Sequence, residues 1–139
     1  MIGNIIQFSI DGDVQPQERP RFSNRGGFVK TYDPPKSRKY KEYVAEVAKE
    51  FAPEQLIDSK ITLSIDVYIK IPKSYTKKQR QEIIDNENAH LKKPDTDNLA
   101  KGIKDGLTGV IWQDDSLINE LHVRKFYSDE PRAEIKIEW

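Results

Sequence analysis

Ile61-Thr62-Leu63-Ser64-Ile65-Asp66-Val67-Tyr68-Ile69-Lys70-Ile71 alternates apolar and polar side chains without a break. Ile61, Leu63, Ile65, Val67, Ile69 and Ile71 share one face, and Thr62, Ser64, Asp66, Tyr68 and Lys70 share the other. A period of two belongs to an extended strand with one face on a core and one toward water. Pro72 closes it, because proline has no N–H to give a ladder. A strand this long needs partners. Ile6, Phe8 and Ile10 alternate near the start of the chain. Ala133, Ile135, Ile137 and Trp139 alternate with Glu134, Lys136 and Glu138 near its end. A further strand is expected from Leu117 to Tyr127.

The apolar face of that sheet needs a cover. Tyr40, Val44, Val47, Ala48 and Phe51 form one stripe at helical spacing, which predicts a helix from Ser37 to Phe51, ended by Pro53. Leu99, Ile103 and Leu107, four apart, predict a second helix that ends near Gly106 or Gly109. A polar helix is expected from Thr76, as N-cap, to Asn86, with Ile83-Ile84 as its only apolar pair. The loop carrying Pro16, Pro20, Gly26 and Gly27 reads as irregular or as a hairpin. The expected architecture is α+β: a single domain over residues 1–139, a mixed or mostly antiparallel sheet, and two main helices packed on one face.

The chain has 139 residues, one ordinary domain, and is long enough to bury a core without staples. It has no cysteine, so disulfides, thiolate metal sites and cysteine nucleophiles are excluded. Gly3, Asn4 and Gln7 interrupt the apolar start too early for a signal peptide, and no apolar run is long enough for a membrane helix. A cytoplasmic protein with no membrane partner is expected.

Lysine plus arginine and aspartate plus glutamate balance at 23 each. Their distribution is uneven. From Arg19 to Lys41 there are eight basic residues and one acid, Asp33; from Lys70 to Arg80 there are five basic residues and no acid. After position 94, ten acids face six basic residues. Basic segments beside an acidic cluster suit a phosphate substrate brought to a metal, although surface lysines often only solvate a face. Arg19, Arg21, Lys36, Lys39, Lys73, Lys77 and Lys78 are the candidate nucleic-acid contacts. Binding carried by such residues weakens steeply with salt.

The acidic cluster is Lys93-Pro94-Asp95-Thr96-Asp97-Asn98-Leu99-Ala100-Lys101, followed by Trp112-Gln113-Asp114-Asp115. Asp97 reads as an N-cap, with Lys101 one turn later on the same face. Asp114-Asp115 reads as a turn. Capping and turn formation account for each piece alone, but one cap needs one carboxylate and this region supplies four. Clustered carboxylates repel unless a cation intervenes. Magnesium takes one or two carboxylates plus water and phosphate oxygens, so Asp95, Asp97 and Asp115 form a candidate metal set, with Lys101 placed to neutralise phosphate charge. Phosphate loops and nucleophile elbows are absent, and His90 and His122 lack partners for a zinc site.

Asp95-Thr96-Asp97-Asn98-Leu99, Lys101, Asp105-Gly106-Leu107, Val110-Ile111-Trp112 and Asp114-Asp115 together resemble the signature of the RusA family of Holliday-junction resolvases, and Lys125 sits where a lysine is common in that family. Arg19-Pro20-Arg21 and Tyr32-Asp33-Pro34 resemble its phage-type members, which are often encoded by prophages. The resemblance implies a homodimeric, structure-selective endodeoxyribonuclease that resolves four-way DNA junctions in recombination and repair. It implies magnesium as cofactor, replaceable by manganese. It implies Asp95, Asp97 and Asp115 as metal ligands, Asp114 as a helper and Lys101 as a catalytic or structural contact. A non-enzymatic DNA-binding module and a metal-dependent nuclease for other branched or single-stranded DNA are the alternatives.

Overall fold

The computed structural model describes residues 3–19, 21–27 and 29–139, with the side chains of Arg21 and Arg25 left outside the description. In chain order the elements are β1 (Ile5–Asp11), β2 (Arg21–Ser23), β3 (Lys30–Tyr32), α1 (Pro35–Lys49), β4 (Ile61–Lys70), α2 (Lys77–Asp85), α3 (Thr96–Leu107), β5 (Ile118–Ser128) and β6 (Arg132–Glu138). The alternating run from Ile61 forms β4, which lies inside a four-stranded sheet of order β1-β6-β4-β5. β4 pairs antiparallel with β6 and parallel with β5, and β1 pairs antiparallel with β6. The sheet is therefore mixed. A parallel pair cannot be closed by a tight turn. The chain between β4 and β5 is the crossover, and it carries α2, α3 and the whole acidic cluster.

Ile61, Leu63, Ile65 and Val67 of β4 are completely buried, as are Ala133 and Ile137 of β6. Against this face pack Tyr40, Val44 and Ala48 of α1 and Leu99, Ile103 and Leu107 of α3. Full burial of each aliphatic side chain contributes roughly 1.5–3 kcal/mol, so this shared core holds the two helical stripes to the sheet and to each other. The opposite face is solvated; there Asp66 takes a two-pronged ion pair from Arg124 at 2.8 and 2.7 Å.

α1 and α3 touch closely. A Cβ built on Gly106 would lie 2.8 Å from Cβ of Val44 and 2.9 Å from the Lys41 carbonyl, so a side chain there has no room. Beside this contact the Lys41 ammonium bridges Asp33 at 2.8 Å and Asp105 at 3.3 Å. Desolvation works against the Lys41 charge, but the hydrogen bonds and charges of the two carboxylates more than offset it and raise its pKa.

Several boundaries differ from the sequence expectation. α1 begins at Pro35, whose fixed φ suits a first helical position, and ends at Lys49. Phe51 therefore lies beyond the helix, where its ring stacks on Phe8 of β1 at 4.8 Å. The proline- and glycine-containing loop supplies a short antiparallel hairpin, β2 with β3. α2 is capped as expected: Thr76 accepts from the Gln79 amide, and the Gln79 side chain accepts from the Thr76 amide. Among the described residues no helix is long and apolar enough to cross a membrane.

Candidate active site

The acidic cluster sits around α3, and the helix separates its two halves. Asp95 occupies the N-cap position, with extended backbone at φ −73° and ψ 153°. The sequence expectation gave that position to Asp97. Asp97 instead lies inside the first turn, because the helical backbone already begins at Thr96. Neither carboxylate is used as a cap, since the Asp95 side chain makes no capping hydrogen bond. Asp95 and Asp97 are both exposed at the end of the helix where the backbone amides favour negative charge. Lys93 pairs with Asp95 at 3.1 Å. Asp97 has no hydrogen-bond or ion-pair partner among the described residues.

Asp115 stands at the other end of α3. Its Oδ1 accepts from the hydroxyl of Thr108, the C-cap residue, and from the indole N–H of Trp112 at 3.1 Å. Trp112 also donates to Thr108, at 3.0 Å, and is completely buried. One oxygen of Asp115 is thus fixed by two side-chain donors, while Oδ2 makes no bond among the described residues. An anchored oxygen beside an open one is how a supporting shell orients a carboxylate ligand. From Asp97 to Thr108 the helix rises roughly 16 Å. One chain does not bring Asp115 to Asp95 and Asp97. In agreement, no group of three acidic or imidazole side chains that could hold a metal occurs among the described residues.

Asp114 is exposed and accepts from the backbone amide of Ser116 at 2.8 Å, which holds its carboxyl below the ordinary aspartate value. It shapes the turn that presents Asp115. Lys101 is exposed and makes no ion pair with Asp97 among the described residues. Its charge is felt at Asp33, whose carboxyl is held low first by its hydrogen bond from Lys41 and, more weakly, by Lys101.

The loop that leads into α3 is fixed from the sheet. The Lys125 ammonium, on β5, donates to the carbonyls of Lys92 and Pro94, the latter at 2.9 Å. On the other side, the Gln17 amide donates to the Asn98 carbonyl at 3.0 Å. That bond lays the segment before Arg19 along the first turn of α3. Arg19, Lys36, Lys39, Lys73, Lys77 and Lys78 are exposed and free of ion pairs among the described residues. The side chain of Arg21 lies outside the described residues, as does Pro20. Lys41 and Arg80, in the same basic segments, are committed elsewhere, Arg80 to Asp129 at 3.6 Å.

The sequence pointed to the carboxylates and to Lys101. It gave no role to Thr108 or to the indole N–H of Trp112, whose contacts with Asp115 depend on how the chain turns after α3.

The arrangement fits a hard divalent cation in part: two exposed carboxylates at one end of a helix, and one oriented carboxylate at the other, all oxygen donors. Comparison with known proteins gives the context. Residues 11–138 match the family described as Endodeoxyribonuclease RusA. The chain is also 42% identical, over 134 residues, to an uncharacterized protein of Bacillus subtilis strain 168, YqaN; the match covers 95% of this chain and 94% of that one.

Proposed function

Because the chain belongs to the RusA endodeoxyribonuclease family, we propose that it is a magnesium-dependent endonuclease that resolves four-way DNA junctions, in the cytoplasm, for recombination and repair. It works as a homodimer. The observation that carries this reading is the division of the carboxylates between the two ends of α3.

A two-fold axis beside α3 sets the Asp95 end of one chain against the Asp115 end of its partner. Asp95 and Asp97 of one chain then join Asp115 of the partner subunit, and the dimer has two such sites. A four-way junction has two equivalent strands to cut, so a two-fold enzyme matches the symmetry of its substrate. Asp95, Asp97 and the partner subunit's Asp115 would hold magnesium, or manganese in its place, which would supply polarisation of the scissile phosphate and a more readily deprotonated water as nucleophile. Asp97, free of other partners, and Asp95 supply ligand oxygens. Thr108 and Trp112 keep the open oxygen of Asp115 aimed. Asp114 holds the turn. Lys101 lies one turn beyond Asp97 and neutralises charge that builds on the phosphate. Arg19, Arg21, Lys36, Lys39, Lys73, Lys77 and Lys78 contact the phosphate backbones and fix register without reading sequence.

The test is cleavage of an end-labelled four-way junction in magnesium. Symmetric paired incisions that stop with EDTA and resume with magnesium or manganese support the reading. Junction binding with no scission in any metal would make the chain a DNA-binding module. Equal rates on flaps or single strands would make it a general nuclease.

A further inference from the structure

A groove of about 240 Å³ opens between α2, the loop before α3 and β5. Its wall is aromatic and apolar: the Tyr75 and Tyr127 rings lie 6.2 Å apart at 60°, and Leu91 is 73% exposed at the edge. Its rim is polar. The side chains of Glu82 and Asn86 have no partner among the described residues. The Lys92 ammonium donates to the Tyr75 hydroxyl at 2.9 Å and lies 5.4 Å from the centre of its ring. Burial pushes the Tyr127 phenol up to about 12, so it keeps its proton and can donate.

The position of the groove matters as much as its lining. Lys92 precedes Asp95 by three residues, so the groove wall and that carboxylate lie within roughly 10 Å along the chain. Lys125 ties the carbonyls of Lys92 and Pro94 to one ammonium, which makes groove and acidic loop one unit. A DNA strand positioned for cutting beside Asp95 therefore passes the groove within a nucleotide or two of the cut.

We propose that this groove takes one unstacked nucleobase next to the cut phosphate and sets the sequence preference of the enzyme. This rests on the nuclease reading above. A flat base stacks on tyrosine and packs on Leu91, and stacking alone tolerates any base. Selection comes from the rim. The Glu82 carboxylate accepts from an exocyclic amine, so the groove favours a base that carries one over thymine. Lys92 pairs with the adjoining phosphate.

Two measurements test this. The first is cleavage of four-way junctions in which the bases flanking the cut are permuted. Thymine at one flanking position slows wild-type cleavage by about tenfold, the scale of one base–protein contact. Glu82→Gln shrinks that ratio toward one and Leu91→Ala slows all the permuted junctions alike, while the melting temperatures of both, as surface changes, stay at the wild-type value. The second places 2-aminopurine at that position and reads its fluorescence on binding in calcium. The signal rises on the wild type as the base unstacks and fails to rise on Tyr75→Ala. Permuted junctions cut within twofold of one another, or a 2-aminopurine that stays stacked on the bound wild type, would overturn the proposal. If no DNA is cut in any metal, the nuclease reading fails, and the fluorescence arm still decides whether the groove holds a base.

Discussion

The Lys125 ammonium donates to the Pro94 carbonyl at 2.9 Å, which ties the edge strand β5 to the residue before Asp95. The same ammonium holds the Lys92 carbonyl. A lysine spent on two carbonyls is positioning a loop, and the loop it positions presents the acidic end of α3.

Lys125→Met keeps the aliphatic stem and removes both anchors. The expected result is about a tenfold rise in the magnesium concentration needed for half-maximal cleavage, typical of lost supporting contacts around a metal ligand. A magnesium titration of the cleavage rate checks it. An unchanged titration midpoint would show that Lys125 serves stability alone.

Thr108→Val replaces the hydroxyl that donates to Asp115 with a methyl of similar size. Trp112 still holds Oδ1, so the carboxylate is loosened rather than released. The hydroxyl also accepts from Trp112 and reaches the Lys104 carbonyl at 2.8 Å, so the expected loss of stability is about 1–2 kcal/mol. The expected loss in kcat is larger in proportion, about tenfold, because ligand orientation suffers more than packing. Denaturant unfolding and single-turnover cleavage separate the two effects.

Gly106→Ala reverses the usual helix rule. Alanine in place of a helical glycine ordinarily stabilises by about 1 kcal/mol. Here the new Cβ meets Val44 and the Lys41 carbonyl, at 2.8 and 2.9 Å. Overpacking of this kind costs roughly 1–3 kcal/mol, so a net destabilisation is expected in urea unfolding. A stabilised variant would mean that α1 and α3 separate more easily than their packing indicates.

Much of this was legible in the sequence, for reasons that can be named. β4 and β6 alternate strictly because one face is buried and the other wet, and α1 and α3 carry stripes because both cover that face. Asp95, Asp97, Asp114 and Asp115 were visible as an excess of carboxylates over what caps and turns need. The position of Asp97 in the first turn rather than at the cap was not visible, since either aspartate suits a cap chemically. Nor was the distance between Asp97 and Asp115. Sequence separation does not say whether the chain doubles back, and here an unbroken helix stands between them. The groove at Tyr75 and Tyr127 joins residues 52 positions apart, and only the crossover brings them together.

Acid should destabilise the chain partly through His90, which is 5% exposed. Burial, then the charges of Lys125 and Lys92, hold its pKa below the ordinary histidine value. The folded state thus binds this proton less readily than the unfolded state. Its contribution is fully present above about pH 6.5 and is lost as pH falls through the folded pKa. Melting temperatures at about pH 7 and about pH 5 should therefore drop less for His90→Gln than for the wild type. Equal drops would assign the acid sensitivity to other groups.

The shared site is tested most directly by mixing two dead subunits. Asp97→Asn and Asp115→Asn are each expected to abolish junction cleavage as homodimers. Co-expressed and purified as a mixed dimer, they place both changes in one site and leave the other intact. Magnesium-dependent cutting of a labelled four-way junction is then expected to return, at one strand per binding event and about half the wild-type rate, for one intact site of two. A mixed dimer as inactive as its parents, beside an active wild type, would contradict it.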